Sequence, residues 1–333
     1  AAGSLRCWRG STCGVGMKTS GLLGIVGRQA TLADPGPELA ALLQALRARH
    51  GQSVAAILFY GSCLRSGDLL DGLVDLYVVV DRFLPAYRKP VPATLNWLLP
   101  PNVFYLELPV AAGRVRCKYA VLSMRQLRNG TSERWFQAYL WGRFAQPTAI
   151  AYARDAETTQ QVTDALAQAV VTFLTRVLPC LPERFTLREL WEGGLALSYA
   201  TELRAERSNR NAHLFDSYRS YYEGLTSPAL EALPYAVRRE SRTEMDRYVA
   251  HIPARVRQMS RLAWSLRRFQ GKALTVLRLV KGALTFHGGF DYLLWKLQRH
   301  SGVTIQASER ERRHPLIFGW GLLWRLYRRG VFR

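Results

Sequence analysis

The stretch AAILFYGSCLRSGDLLDGLVDLYVVVD, residues 55–81, decides the fold of this chain. Two apolar runs, 54–60 and 73–80, carry the aliphatic and aromatic residues that are typical of buried strands. A Gly61-Ser62 pair and a polar connection separate these runs, and Asp75 is the single acid within the second run. Two interpretations are open at this point: a plain strand–loop–strand, or a corner that binds phosphate groups and a metal ion.

The neighbouring sequence extends the predicted sheet. Residues 37–50 have the apolar spacing of a helix, which ends at Gly51. Residues 102–108 and 114–123 have the composition of two further strands. Beyond them the apolar periodicity predicts helices over 132–144, 158–178, 187–206, 214–225 and 254–284.

The charge of the chain is strongly positive. Its 333 residues include 46 Lys and Arg against 25 Asp and Glu, a formal net charge of +21. From Arg238 onward there are 21 basic and 6 acidic residues, so most of the excess lies in the last third. Such a charge attracts polyanions, either nucleic acid or an anionic membrane surface. The five cysteines are scattered without the spacing of zinc ligands, so no zinc site is expected, and no apolar run reaches transmembrane length.

The corner at residues 60–75 resembles that of the nucleotidyltransferase superfamily, in which a Gly-Ser pair follows one strand and an acid begins the next. The resemblance implies that Tyr60, Gly61 and Ser62 bind a nucleotide and that Asp75 holds Mg²⁺. Glycine allows the backbone to approach a triphosphate closely, and a serine can donate hydrogen bonds to phosphate oxygen. A carboxylate is the protein ligand that Mg²⁺ prefers.

The superfamily usually has a second acid two residues after the first, and here that position is Tyr77. A second metal ligand is therefore expected from elsewhere in the chain. Glu107 is our candidate, because an acid on an otherwise apolar strand is costly without a partner. The alternative is that Glu107 lies on an edge strand and faces water.

A second block, KYAVLSMRQLRNGTSERWFQAYLWGRFAQPTAIAY (118–152), resembles the mitochondrial-type phosphatidate cytidylyltransferases. A third, LVKGALTFHGGFDYLLWKLQR (279–299), is similar to another pattern of that family and covers Lys281 and Lys296. In the second block the matching residues are Lys118, Tyr119, Val121, Trp135, Tyr139, Leu140, Gly142, Arg143 and Pro147.

The resemblance implies a reaction in which CTP and phosphatidate give CDP-diacylglycerol and pyrophosphate, with Mg²⁺ as cofactor. Asp75 and Lys118 would be the catalytic residues, and Lys118 would bind triphosphate oxygens. Without the resemblance, Lys118 would be interpreted as a strand lysine that reaches solvent. Two alternatives remain: a nucleotidyltransferase acting on another acceptor, such as an RNA end or a small molecule, and an inactive relative that binds membrane or RNA.

Together these patterns predict an α+β fold with four segments. Residues 1–35 are expected to be flexible, and residues 36–155 to form a nucleotidyltransferase-like domain with a mixed sheet. Residues 156–253 are predicted to form a helical domain, and residues 254–333 a basic amphipathic region that associates with a membrane.

The membrane prediction follows from the substrate, since phosphatidate stays in the bilayer. The tail 314–333 combines apolar and aromatic residues with clustered arginines, as do helices that lie at the interface. The predicted lipid contacts are Lys281, Lys296, Trp320, Trp324 and Arg325. The expected location is peripheral, on the cytoplasmic face of a bacterial membrane or the matrix face of the mitochondrial inner membrane.

Nucleic acid is the rival partner, but the chain has no recognised RNA-binding module. The other interpretation of the tail is a helix that packs on the fold.

Overall fold

A computed structural model describes residues 12–202, 210–240, 247–285 and Ser308, with side chains described from Ser20 onward except at 210, 279–280 and 283–285. The described chain divides into two compact units. An α+β unit contains residues 31–130, 148–162 and the described part of the chain from 268. A largely helical unit contains residues up to 30, then 131–147 and 163–267.

The helices and strands follow one another along the chain in this order: α1 Thr12–Ala30, α2 Gly36–His50, β1 Val54–Tyr60, α3 Ser62–Ser66, β2 Val74–Val80, α4 Phe83–Tyr87, α5 Pro90–Leu98, β3 Asn102–Val110, β4 Gly113–Ser123, α6 Met124–Thr131, α7 Ala138–Phe144, β5 Thr148–Ala153, α8 Ala156–Val177, β6 Arg184–Thr186, α9 Leu187–Tyr199, α10 Arg210–Ser217, α11 Arg219–Glu231, β7 Val237–Glu240, β8 Arg247–Ala250 and α12 Ala254–Thr285. Short 3₁₀ turns occupy Gly51–Ser53 and Leu178–Cys180.

The α+β unit is built on a five-stranded mixed sheet in the order β3-β4-β2-β1-β5. The pair β2–β4 is parallel, and the other neighbours are antiparallel. Strand β1 lies inside the sheet and is buried along its whole length, which explains why its sequence is uniformly apolar. The predicted α+β fold class is thus confirmed.

One face of this sheet is covered by helix α2. Leucines at positions 39, 42, 43 and 46 follow helical spacing, and all four are buried. They form a hydrophobic cluster with Val74, Leu76, Val78 and Val80, the alternate residues of β2. At its C-terminal end the helix gives way to Gly51, whose φ of 62° is a conformation that glycine adopts without strain.

The helical unit contains a three-stranded sheet in the order β6-β8-β7 alongside its helices. Helix α9 begins with a capping box, in which Thr186 and Glu189 satisfy each other's backbone amides. Aromatic rings pack together in this unit: Phe173 stacks on Trp191, and Tyr222 lies against Trp191 at a tilt. In the ranges that the structure describes, no helix is both long enough and apolar enough to cross a bilayer.

The structure corrects several boundaries. Residues 12–30 form helix α1, so that part of the segment expected to be flexible is helical. The helix predicted over 132–144 begins only at Ala138, and strand β5 was not anticipated. The units are also discontinuous in sequence: residues 131–147, predicted to belong to the catalytic domain, are part of the helical unit.

Candidate active site

The register of the sheet aligns four residues in one row across four strands. Asp75 on β2 pairs with Tyr60 on β1 and with Lys118 on β4, and Lys118 pairs with Tyr105 on β3. Because directly paired residues project on the same side of a sheet, all four side chains lie on the face opposite the α2 cluster. The nucleotide-binding and catalytic residues predicted from sequence are therefore close together, apart from the second metal ligand.

Gly61 turns the chain sharply at the end of β1, next to the Asp75 carboxylate. Its φ of +92° and ψ of −157° lie in a region that only glycine adopts readily. A Cβ atom at this position would also lie 3.0 Å from Oδ2 of Asp75. Glycine is thus required both by the backbone conformation and by the space beside the carboxylate. Ser62 follows directly and is exposed.

Lys118 forms an ion pair with Asp75. Its Nζ lies 2.9 Å from Oδ1 of Asp75, and the two side chains are 30% and 22% exposed, respectively. The Oδ1 atom itself is buried, so the exposed part of the aspartate lies in its other atoms. The pair is accessible to a ligand but partly shielded from water, and such a setting strengthens electrostatic interactions.

Cys117, next to Lys118 in sequence, points to the opposite face and belongs to the hydrophobic cluster under α2. Burial raises the pKa of its thiol well above the ordinary value, and the nearby charge of Asp75 raises it further. A thiol held in its neutral form is a poor nucleophile, so Cys117 is a structural residue.

Glu107 is held by side chains of its own hairpin. Its carboxylate accepts a hydrogen bond of 2.7 Å from the Tyr105 hydroxyl and pairs with Arg114 at 3.0 Å and Arg116 at 3.4 Å. Partial burial would raise the pKa of Glu107, but the hydrogen bonds from Tyr105 and Arg114 and the charge of Arg116 lower it below its usual range.

The position of Glu107 does not favour its predicted role as second metal ligand. It pairs with Arg116, so it lies two strands, or roughly 10 Å, from β2 and is offset along the strands from Asp75. Within the described ranges, no group of three or more His, Cys, Asp or Glu side chains could hold a metal ion. The structure thus brings together one carboxylate, a lysine and a glycine turn.

This set of residues fits a Mg²⁺ ion that arrives with a nucleotide. Mg²⁺ is commonly bound through one or two carboxylates together with substrate phosphates and water, rather than by a complete protein cage. Because Gly61 has no Cβ atom, which would lie 3.0 Å from Oδ2 of Asp75, no side chain at the turn crowds the carboxylate.

Lys281 does not have the lipid-contacting role predicted for it. Its side chain is buried, and its ammonium donates hydrogen bonds to the backbone carbonyls of Leu99 and Pro101 within the α+β unit. Burial, together with the charge of Arg278, lowers its pKa to about 8. The other predicted lipid contacts, Lys296, Trp320, Trp324 and Arg325, lie outside the described residues.

Sequence reasoning missed the basic side chains beside Lys118. Arg114, Arg116 and Lys118 alternate along β4, so all three lie on the face that carries Asp75. The period-two pattern Arg-Val-Arg-Cys-Lys was visible in the sequence and could have revealed this row. Tyr105 gave no comparable signal, because an aromatic residue is common on any strand.

Two residues of the second block have a clear structural role in the helical unit. Arg143 forms an ion pair of 2.7 Å with Glu202, and both side chains are largely buried. A Cβ atom on Gly142 would lie 2.1 Å from Oγ of Ser198, so glycine permits close packing of α7 on α9. This part of the block therefore stabilises the fold of its unit.

Comparison with known proteins gives one family. The family model described as "Phosphatidate cytidylyltransferase, mitochondrial" matches residues 92–264, just over half of the chain. The match includes Lys118 and the Arg143 segment, and it begins after the corner that carries Gly61 and Asp75. No curated protein matches the chain.

Proposed function

The chain belongs to the mitochondrial phosphatidate cytidylyltransferase family, and we propose that the row containing Gly61, Asp75 and Lys118 is its active site. The enzyme makes CDP-diacylglycerol from CTP and phosphatidate. A phosphate oxygen of phosphatidate forms a bond to the α-phosphorus of CTP, and the bond from that phosphorus to the bridging oxygen breaks. The electron pair leaves with pyrophosphate.

The proposal rests on one observation: three residues predicted from the sequence lie next to one another around a single carboxylate. Gly61 lies against Oδ2 of Asp75, and Lys118 contacts Oδ1 of the same carboxylate. Such a cluster suits phosphoryl-type transfer, in which the protein positions the reactants and neutralises charge while doing little covalent chemistry itself.

We assign a role to each side chain at the corner. Gly61 allows the triphosphate to approach the backbone, and the exposed hydroxyl of Ser62 donates a hydrogen bond to a phosphate oxygen. Asp75 would hold Mg²⁺, which when bound neutralises phosphate charge and aligns the α-phosphorus. Lys118 binds triphosphate oxygens and stabilises the charge that develops on the leaving pyrophosphate. Tyr60, paired with Asp75 across the sheet, borders the nucleotide site.

The test is transfer from labelled CTP to phosphatidate in mixed micelles with Mg²⁺. We expect Asp75→Asn to lose at least about 10³-fold in kcat/KM, which corresponds to roughly 4 kcal/mol of transition-state stabilisation. The matched control is Asp81→Asn, at the residue directly after β2, whose exposed carboxylate pairs with Arg154. The control should stay within about twofold of wild type, as surface changes usually do. Comparable activities for the two variants would refute the assignment.

We also propose that the enzyme docks on an anionic membrane at the matrix face of the mitochondrial inner membrane. Helix α12 supports this, because large apolar side chains are exposed along it among arginines and lysines. They are Met259, Leu262, Leu266, Phe269, Val276 and Leu277.

Sedimentation with vesicles tests the docking. Binding to vesicles that contain phosphatidate should weaken at least about tenfold in Leu262→Glu/Leu266→Glu, because charged side chains resist burial in the interface. Activity on a soluble short-chain phosphatidate should persist. Deletion of 314–333 is the second arm, which asks whether the tail adds affinity. Equal sedimentation of wild type and the double variant would contradict docking through α12.

A further inference from the structure

We infer that the ammonium of Lys118 neutralises the Asp75 carboxylate until substrate binds. When a nucleotide and a divalent cation bind together, the ammonium moves from Asp75 to the triphosphate. This inference rests on the proposed function of the corner. It concerns the coupling between two ligands, so it can fail while the assignment of the active site stands.

The contact between the two side chains blocks one oxygen of the carboxylate. Lys118 Nζ lies 2.9 Å from Oδ1 of Asp75, and that oxygen is buried. The other oxygen lies against Gly61. A cation that binds through Oδ1 must displace the ammonium, and a cation on Oδ2 would lie within a few ångströms of it. The Lys118 side chain is 30% exposed, so it has space into which it can move.

The charge of the pair opposes binding of a metal ion alone. One carboxylate and one ammonium sum to zero, so the pair itself offers no net attraction to a divalent cation. The neighbouring acid does not compensate, since Glu107 already pairs with Arg114 and Arg116. No group of three or more metal-ligating side chains exists anywhere in the described ranges.

A bound triphosphate makes binding of a divalent cation at Asp75 favourable. Its oxygens offer ligands to the metal ion and, at the same time, a new anionic partner for the ammonium of Lys118. The side chain can then exchange Asp75 for phosphate without losing a charge-assisted contact. Metal and nucleotide should therefore bind cooperatively, and by linkage each should raise the affinity of the other by the same factor.

The experiment measures binding of Mn²⁺, a paramagnetic substitute for Mg²⁺, to the full chain by electron paramagnetic resonance. Wild type should bind Mn²⁺ at least about 10-fold more tightly with saturating CTP than without it, within the usual range of coupling between sites. Lys118→Met should bind Mn²⁺ alone about 10-fold more tightly than wild type, and CTP should then improve its Mn²⁺ affinity by a smaller factor than in wild type, because only the phosphate ligands still contribute to the coupling. Lys89→Met, which removes an exposed lysine of the same unit, is the control and should behave as wild type.

Two further variants keep the outcome decisive. Lys118→Arg retains a cation beside Asp75, so its affinity for Mn²⁺ alone should stay as weak as in wild type. Lys118→Gln replaces the methionine variant if circular dichroism shows that the latter is unfolded. The inference is overturned if removing the Lys118 charge leaves the affinity for Mn²⁺ alone unchanged. If Asp75→Asn binds Mn²⁺ and CTP as wild type does, the proposed site itself is wrong.

Discussion

The two faces of the five-stranded sheet use the same strands for different purposes. Along β2, Val74, Leu76 and Val78 point to the face under α2 and are fully buried. Asp75, between Val74 and Leu76, points to the other face, where it meets Lys118. Period-two alternation thus lets one strand supply both the core and the active site. Because the core residues hold the register, they also fix the position of the catalytic pair.

The first prediction tests the core face. Leu76→Ala removes a fully buried side chain from the cluster under α2 and should lower the free energy of unfolding by about 2–5 kcal/mol. Its kcat, expressed per folded molecule at low temperature, should remain within a few-fold of wild type. Urea unfolding and the transfer assay measure the two quantities. If Leu76→Ala kept near-normal stability but lost turnover, the claim that this face stabilises the fold while the other face carries catalysis would be wrong.

The second prediction tests the turn between the faces. Gly61→Ala should lower the free energy of unfolding by about 1–3 kcal/mol, because the backbone conformation there excludes other residues. It should also reduce kcat/KM at least about tenfold, since the added methyl group lies 3.0 Å from Oδ2 of Asp75.

Gly67→Ala is the matched control for this turn. Its φ of +73° is also positive, in the left-handed helical region that costs alanine roughly 1–2 kcal/mol, but no atom lies within 4 Å of the added Cβ. We expect Gly67→Ala to be destabilised without a comparable loss of activity. If the two variants were equally active, the space beside Asp75 would have no role in catalysis.

The third and smallest expected effect concerns His50, which lies on the core face. Burial, aided by the charge of Arg49 and opposed by a hydrogen bond to the Ala86 carbonyl, lowers the pKa of His50 below 6.5. The folded state therefore binds fewer protons than the unfolded state just below pH 6.5, and stability should fall as the pH drops from about 7 towards 5.

His50→Gln can keep a hydrogen bond to Ala86 while removing this titration. The variant should lose less stability than wild type over the same pH interval, as measured by urea unfolding at pH 7, 6 and 5. Parallel pH profiles would show that His50 does not contribute to acid sensitivity.

The first four strands and the corner were predictable because apolar runs and a Gly-Ser pair are local signals. The predicted strand 54–60 matches β1, and the acid at Asp75 lies where the corner requires it. Glu107 shows what was missed. With a turn at Ala111 and Ala112, Val110 pairs with Gly113, and the same register places Arg116 opposite Glu107. Ala-Ala is not one of the residue pairs, such as Asn-Gly, that mark a two-residue turn in sequence, so the register and this partner could not be inferred.

Contacts between distant segments could not be predicted in this way. In the sequence, Lys281 is one of many basic residues on an amphipathic helix. In the structure, its ammonium donates a hydrogen bond to a backbone carbonyl about 180 residues earlier in the chain. Helix α1 was missed because its many glycines lower the helical propensity of residues 12–30. Helix α1 packs on α11: a Cβ atom on Gly21 would lie only 3.6 Å from the Cβ atom of Pro228. Tertiary contact of this kind leaves no local signal in the sequence.

A crystal of the full chain grown with CTP and Mn²⁺ tests the central claim most directly. Anomalous scattering should place a Mn²⁺ ion at roughly 2.0–2.3 Å from an oxygen of Asp75, with the triphosphate beside Gly61 and Lys118 turned towards its oxygens. A Mn²⁺–CTP complex bound elsewhere, with the Asp75–Lys118 pair intact, would contradict the account.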